Sequence, residues 1–256
     1  MSYNTRNDLQ KHESDVLKRT KEESPEIGWY YEFYKGLQQI ISIIPKERNN
    51  EELPENPAIF LLLMTTSLKI MQTSNSILNL ISKGYYHQGM ILLRSIQEEF
   101  HHLLFFTFYP KNYIKQWREQ KIRYKHINKF MNKSDYIPKR WKSKDKTNTS
   151  MYEVLSSYVH PSIDRWSSIL SFQKEQQEVI IKLLPRYEKN SFNTVFSGVM
   201  LYLANTITLL MEKYKIDIKE ASFWEDMASK LDQFDLEYFQ PLIELMKSEY
   251  DTRLIG

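Results

Sequence analysis

Two long apolar segments separated by a single glycine constrain the fold of this chain more than any other feature. Apolar residues recur at helical spacing over residues 57–83, and again over residues 86–108 before Pro110. Gly84 breaks the pattern between them, so the connection is short. Helices joined by so short a connection pack antiparallel. We therefore expect a helical hairpin at the centre of the fold.

The rest of the chain also has a helical character. Six glycines and nine prolines in 256 residues are too few for a protein of many short strands and tight turns. One helix is expected to start at Pro25 and to end at Pro45, followed by a polar linker over residues 46–56. Further helical patterns occupy residues 111–132, 150–158, 191–214, 219–231 and 234–249. The sequence thus predicts a mostly α fold, a single helical bundle.

The secondary structure of one segment is ambiguous, whereas the sequence predicts a single domain. Residues 167–184 fit either a small β-hairpin or irregular helix. The chain is long enough for one substantial core, so we expect one domain over residues 1–256. Within it, residues 1–22 are expected to be peripheral, residues 57–211 to form the core bundle, and residues 219–256 to form C-terminal helices.

Residues 190–211 carry no charge and are long enough to cross a bilayer. The segment contains several Asn, Ser and Thr residues, so a central helix of a soluble bundle explains it better.

Residues 1–21 are polar and mixed in charge, which predicts no secretory signal. The chain has no cysteine, which excludes disulfides and thiolate chemistry and fits a reducing compartment. We expect a cytoplasmic protein that does not contact a membrane.

Basic charge is concentrated in residues 111–146. This segment has thirteen Lys or Arg residues against three acidic ones, a net charge of +10, whereas the whole chain carries +3. Six aromatic residues lie among these charges, and cations with aromatic rings suit the phosphates and exposed bases of RNA. The other interpretation is a solvated helix whose aromatic residues face the core. The candidate RNA-binding residues are Lys115, Arg118, Arg123, Lys125, Lys139, Arg140 and Lys142.

Two motifs place ionisable groups on helix faces that should be packed. In the helix over residues 86–108, Arg94 and Glu98 are one turn apart and can form an ion pair. His101 or His102 continues this face one turn further on. Such groups are costly to bury unless they are paired. The second motif, residues 156–161 (SSYVHP), contains His160 followed by Pro161. His160 could complete one polar site with Arg94 and Glu98.

Several interpretations of this site compete. The simplest is a structural clamp: Arg94 and Glu98 form an ion pair in the core, and His160 is a core histidine whose hydrogen bonds are all made. A metal site is a weaker hypothesis: Glu98 and His101 have di-iron spacing, but Arg94 would place a positive charge beside the metal. A third interpretation is an interaction module that catalyses no reaction. The glycine-rich motifs that bind nucleotide phosphates are missing, so we expect no cofactor. A di-iron site needs a second E-x-x-H unit on a facing helix, and none occurs outside residues 98–102, so we also expect no metal.

The motifs resemble a family. Arg94 and His101 are separated by six residues, the loose spacing of HEPN-type helical ribonucleases. The larger pattern comprises the residues 84–86 (GYY), the residues 93–98 (LRSIQE) and the residues 152–161 (YEVLSSYVHP). It is similar to an uncharacterised, HEPN-like family of bacterial helical proteins, over roughly residues 57–211. HEPN proteins are commonly toxins, defence effectors or RNA-processing factors, and they often form a composite site across a dimer.

The resemblance implies a metal-independent endoribonuclease, with one departure. Arg94 would stabilise phosphate charge, His160 (second choice His101) would act as general base or acid, and Glu98 would orient one of them. In HEPN nucleases the histidine usually follows its arginine within one helix, but residues 153–155 before His160 are Glu, Val and Leu. Either Arg94 reaches His160 through space, or His101 takes its place, or the protein is inactive. The alternative function is a non-enzymatic helical interaction protein that binds a protein or nucleic-acid partner through its basic face. We also expect a homo-oligomer or a protein partner.

Overall fold

The computed structural model describes residues 5–50, 57–108, 119, 127, 155, 170–173, 178–181, 185–216 and 229. These residues form five helices and one pair of strands. In chain order they are α1 (Thr5–Glu23), α2 (Ile27–Asn50), α3 (Pro57–Ile81), α4 (Tyr86–Phe108), β1 (Leu170–Gln173), β2 (Glu178–Ile181) and α5 (Lys189–Tyr214). The prediction of a mostly α protein is confirmed.

The hairpin expected around Gly84 is present as α3 and α4, and these two helices share the largest packed surface of the bundle. Gly84 has a φ angle of 87°, in the left-handed region that favours glycine. A Cβ atom on Gly84 would lie 2.8 Å from the backbone of Arg186. The turn therefore needs glycine both for its backbone angle and for the chain that passes beside it.

α3, α4 and α5 all pack against one another, and α2 packs mainly against α5. Large side chains fill the space among these helices, because each helix turns its apolar stripe inward. α5 approaches α4 closely at Gly198, where a Cβ atom would overlap the side chain of Leu93. The largest fully buried residues are Tyr30, Phe33, Leu37, Ile40, Ile44, Leu63, Ile70, Ile77, Ile81, Phe192 and Phe196.

The end of α2 and the ambiguous segment are two further places where the structure can be compared with the sequence-based predictions. The prediction that the second helix ends at Pro45 is wrong, because α2 continues through Pro45 to Asn50. Pro45 is exposed, and near an exposed helix end the carbonyl group that loses its partner can bond to water instead. The ambiguous segment contains strands: β1 and β2 pair antiparallel, with Leu170 opposite Ile181 and Gln173 opposite Glu178.

α5 is the one helix among the described residues that is long and apolar enough to cross a membrane. Most of its apolar stretch is buried inside the protein: 72% of the 18-residue apolar stretch is inaccessible to solvent. A core helix of a helical bundle has these same properties. α5 thus occupies the central position that the polar residues in its sequence predict.

Candidate functional site

The ion pair expected on α4 is present. The Nε atom of Arg94 donates a hydrogen bond to Oε1 of Glu98 at a distance of 3.1 Å. The side chain of Arg94 is 18% exposed and that of Glu98 is 34% exposed, so the pair lies at the edge of the core. Partial burial restrains both side chains, because neither can swing freely into solvent. The pairing of Arg94 with Glu98 is therefore confirmed, whereas its role stays a prediction.

His101 lies one helical turn further along α4 and is almost completely buried, with 4% of its surface exposed. Burial lowers the pKa of His101 to about 4, and the neighbouring His102 acts in the same direction. The imidazole is therefore neutral at pH 7. A neutral imidazole can accept a proton, but a general base must also reach its substrate. Its burial counts against His101 as the general base.

The next polar group on α4 faces α3. Lys69 on α3 donates a hydrogen bond from Nζ to Oε1 of Glu99 at 3.3 Å, which joins the two helices on their outer side. His102 lies beside this pair, and burial lowers its pKa. Glu99 opposes that shift and Lys69 adds to it. α4 thus carries two ion pairs on its outer surface, Arg94–Glu98 within the helix and Glu99–Lys69 across to α3.

Gln97 is a buried polar residue that the sequence analysis quoted within a motif but assigned no role. Its side chain is fully buried, and neither amide atom meets strict hydrogen-bond geometry with a partner. The Gln97 amide opposes the rise in the pKa of Tyr202 on α5, which burial causes. The amide and the phenol are therefore neighbours inside the bundle. In the sequence, this buried amide could have been found from a glutamine at a core position of a largely apolar helix.

The remaining predicted site residues lie outside the described residues. These are His160 of the second motif and all seven candidate RNA-binding residues, Lys115, Arg118, Arg123, Lys125, Lys139, Arg140 and Lys142. Nothing in the structure brings His160 to Arg94 or separates the two. Single described residues near these candidates do report on their segments. Ile127 and Leu155 are both buried in the core, and Glu119 is exposed.

These single residues inform the two interpretations of the basic segment. Ile127 is fully buried in the middle of the segment, so at least this part of residues 111–146 has a side that faces the core. Leu155 directly precedes the second motif, and it is helical and 1% exposed. Both side chains therefore belong to the hydrophobic core. Over the part of the chain that the structure describes, there is no group of three or more His, Asp or Glu residues that could hold a metal ion.

The fold and the site together define a helical bundle in which α4 carries a half-buried Arg–Glu pair beside a buried histidine. Over residues 60–150 the chain is similar to a family of unknown function, DUF5677. The matched region begins in α3, contains all of α4 and extends through the basic segment. No curated protein and no solved structure matches the chain.

Proposed function

We propose that this protein binds RNA and cleaves it without a metal ion, with Arg94 at the scissile phosphate. The observation that carries this proposal is the Arg94–Glu98 pair on α4, which holds a guanidinium group at the edge of the hydrophobic core. A guanidinium fixed by a carboxylate presents its charge in a defined orientation. That is what stabilisation of a pentacoordinate phosphate requires.

In the proposed reaction His160 removes the proton from a ribose 2′-hydroxyl group. The 2′-oxygen then attacks the adjacent phosphorus atom, and the bond to the 5′-oxygen breaks. The leaving 5′-oxygen takes up a proton from water, and the His160 imidazolium returns its proton to the solvent. The products are a 2′,3′-cyclic phosphate and a 5′-hydroxyl end. Arg94 stabilises the extra negative charge on phosphorus oxygens, and Glu98 keeps Arg94 oriented.

The basic segment would hold the RNA backbone. Residues 111–146 carry a net charge of +10, and lysine and arginine side chains neutralise phosphates by releasing counterions. The resemblance to HEPN proteins supports a role in bacterial toxin or antiviral defence systems, in the cytoplasm. A toxin or defence effector would have an antitoxin or partner gene beside it, so the gene neighbourhood tests this part of the proposal.

The test is cleavage of labelled total tRNA in EDTA by the wild-type protein and by Arg94→Ala and His160→Ala variants. We expect cleavage by the wild type and a loss of at least about a hundredfold in each variant, because each removes a group that acts in the transition state. Arg19→Ala is the matched control, since Arg19 forms the same i,i+4 pair with Glu23 on α1. This control should cleave at the wild-type rate.

Thermal unfolding of the same variants separates catalysis from structure. A catalytic Arg94 predicts a variant that is folded but inactive. Unfolding of the Arg94→Ala and His160→Ala variants would instead support the structural clamp. Intact RNA with the wild type, together with salt-dependent RNA binding, would favour the non-enzymatic interaction protein.

A further inference from the structure

The outer surface of the α3–α4 hairpin carries a second cation close to the Arg94–Glu98 pair. Lys69 on α3 donates a hydrogen bond from Nζ to Oε1 of Glu99 on α4 at 3.3 Å. The side chain of Lys69 is 57% exposed, so its ammonium group is accessible to a ligand. Lys69 is also the one charged residue of α3, a helix of 25 residues. The carboxylates that hold the two cations belong to consecutive residues of α4, Glu98 and Glu99.

The two ion pairs share one continuous surface. A helix turns by about 100° per residue, so Ser95 and His102 lie between Glu98 and Glu99 around the axis of α4. Ser95 is exposed and His102 is half-buried, so no part of the core separates the two pairs. Burial lowers the pKa of His102, and its imidazole is therefore neutral at pH 7. The two cations thus lie on either side of a strip that carries no charge of its own.

Binding to a carboxylate uses only a fraction of the donors of each cation. A guanidinium group has five N–H donors and an ammonium group has three. The pair with Glu98 uses the Nε donor of Arg94, and the pair with Glu99 uses one donor of Lys69. Both cations are therefore oriented by a carboxylate and can still donate hydrogen bonds to a phosphate group.

A purely structural role for the Lys69–Glu99 pair explains little. Ion pairs between exposed side chains contribute little to stability, because water competes for both groups. α3 and α4 are joined without this pair, since their apolar side chains form the largest packed surface of the bundle. A charge at this position matters more to a ligand of opposite charge than to the contact between the helices.

We propose that an RNA strand crosses the outer surface of the α3–α4 hairpin, and that Arg94 and Lys69 bind phosphate groups on either side of His102. The proposal rests on the RNA binding proposed above, and it adds a residue of α3 to the site. The two cations are held by different carboxylates on opposite sides of His102, so they bind two phosphates of one strand. Glu99 competes with the RNA for Lys69.

Binding of a single-stranded 2′-O-methyl RNA oligonucleotide over a range of salt concentrations tests the role of Lys69. The proposed reaction cannot cleave this probe, because its 2′-oxygens carry methyl groups. Loss of one phosphate contact should lower the slope of log affinity against log salt by about 0.7, or about fivefold in affinity at about 0.1 M salt. We expect this loss in Lys69→Gln. Glu99→Gln should bind at least as tightly as the wild type, since it removes the competing carboxylate.

The Lys83–Glu13 pair provides a matched control on the same hairpin. Nζ of Lys83 lies 3.4 Å from Oε2 of Glu13, and the side chain of Lys83 is 45% exposed. Lys83 directly precedes Gly84, so it lies at the turn rather than beside Arg94. Lys83→Gln changes the net charge of the protein by the same amount as Lys69→Gln, yet it should bind RNA like the wild type. Circular dichroism should show that all the variants are folded.

Two binding results would overturn the proposal while leaving RNA binding itself intact. Equal weakening in Lys69→Gln and Lys83→Gln would mean that the RNA responds only to net charge. Equal weakening in Lys69→Gln and Glu99→Gln would mark their pair as a structural contact between helices. A wild type that does not bind the oligonucleotide would contradict both this proposal and the proposed function.

Cleavage kinetics with labelled tRNA separate the two cations. Lys69→Gln should raise KM and leave kcat nearly unchanged, because Lys69 binds the substrate and the transition state equally. Arg94→Ala should lower kcat, since Arg94 acts on the phosphate that reacts. A fall in kcat with an unchanged KM in Lys69→Gln would contradict its assignment to a neighbouring phosphate. A wild type that binds RNA without cleaving it would refute only the catalytic part of the proposed function.

Discussion

At the scale of single residues, the polar groups of α4 differ in environment although they lie one turn apart. Arg94 and Glu98 are partly exposed and form an ion pair, whereas Gln97 and His101 are buried. The difference comes from the rotation of α4, which turns Gln97 towards Tyr202 and leaves Arg94 at the rim. The buried Gln97 amide thus has the Tyr202 phenol as its polar neighbour in the core.

His101 makes the stability of the protein depend on pH. Its pKa is about 4 in the folded state and about 6.5 in the unfolded state, so the unfolded chain binds more protons between these values. The free energy of unfolding should therefore fall as the pH falls from about 6.5 to about 4, by about 3 kcal/mol. Urea unfolding at several pH values measures this loss.

Two variants isolate the contribution of His101 from that of the carboxylates. His101→Gln should flatten the pH dependence in this window, since glutamine does not titrate. His12→Gln is the control, because His12 is exposed on α1 and its replacement should leave the slope unchanged. If His101→Gln retained the slope of the wild type, the buried, neutral state of His101 would be contradicted.

At the scale of helices, close packing depends on where glycine allows two helices to approach. Gly198 on α5 lies against Leu93 on α4, and a Cβ atom there would be 3.2 Å from Cδ1 and would overlap Cδ2. Gly28 on α2 has no atom within 4 Å of such a Cβ position. The same substitution should thus have opposite effects at the two sites.

Gly198→Ala should lower the free energy of unfolding by about 1 kcal/mol, because overpacking costs about 1–3 kcal/mol and the gain in helix propensity offsets part of it. Gly28→Ala should raise it by about 0.5 kcal/mol, since only the propensity changes. Chemical denaturation of the two variants beside the wild type measures both. An equal stabilisation at both positions would contradict the close contact of α4 with α5.

At the scale of the whole molecule, α1 is attached to the bundle mainly by polar contacts. The Tyr85 hydroxyl donates to Glu13 at 2.6 Å, and Thr20 donates to the Ser82 carbonyl oxygen at 3.1 Å. Burial raises the pKa of Tyr85 to about 12, so it is a neutral donor at pH 7. Val16 is the one hydrophobic residue of α1 that is buried, within residues 9–23. Such an element opens more easily than the core helices.

Tyr85→Phe should loosen α1 without unfolding the bundle. The loss of one hydrogen bond weakens the attachment by about 1 kcal/mol, so the amides of α1 should exchange with solvent about fivefold faster. Hydrogen exchange in α3 and α4 should not change. Tyr31→Phe removes a hydroxyl from an exposed tyrosine and serves as the control. Faster exchange throughout the bundle would mean that α1 is an integral part of the core.

The sequence by itself determined the helices, because the period of apolar residues is a local property. The hairpin at Gly84, the apolar helix over residues 190–211 and the Arg94–Glu98 pair could all be predicted from residues one to four positions apart. The two strands were anticipated as one of two alternatives. The end of α2 was not, because a proline near an exposed helix end is tolerated for reasons of solvation that the pattern does not contain.

Only the tertiary structure decided which polar groups are buried. Arg94, Glu98 and His101 share one side of a helix in the sequence, yet the packing of α3 and α5 against α4 covers these residues unequally. This enclosure lowers the pKa of His101, desolvates Gln97 and leaves Arg94 at the rim. Burial depends on neighbours distant in the chain, so a helical pattern predicts which residues share a face but not what covers that face.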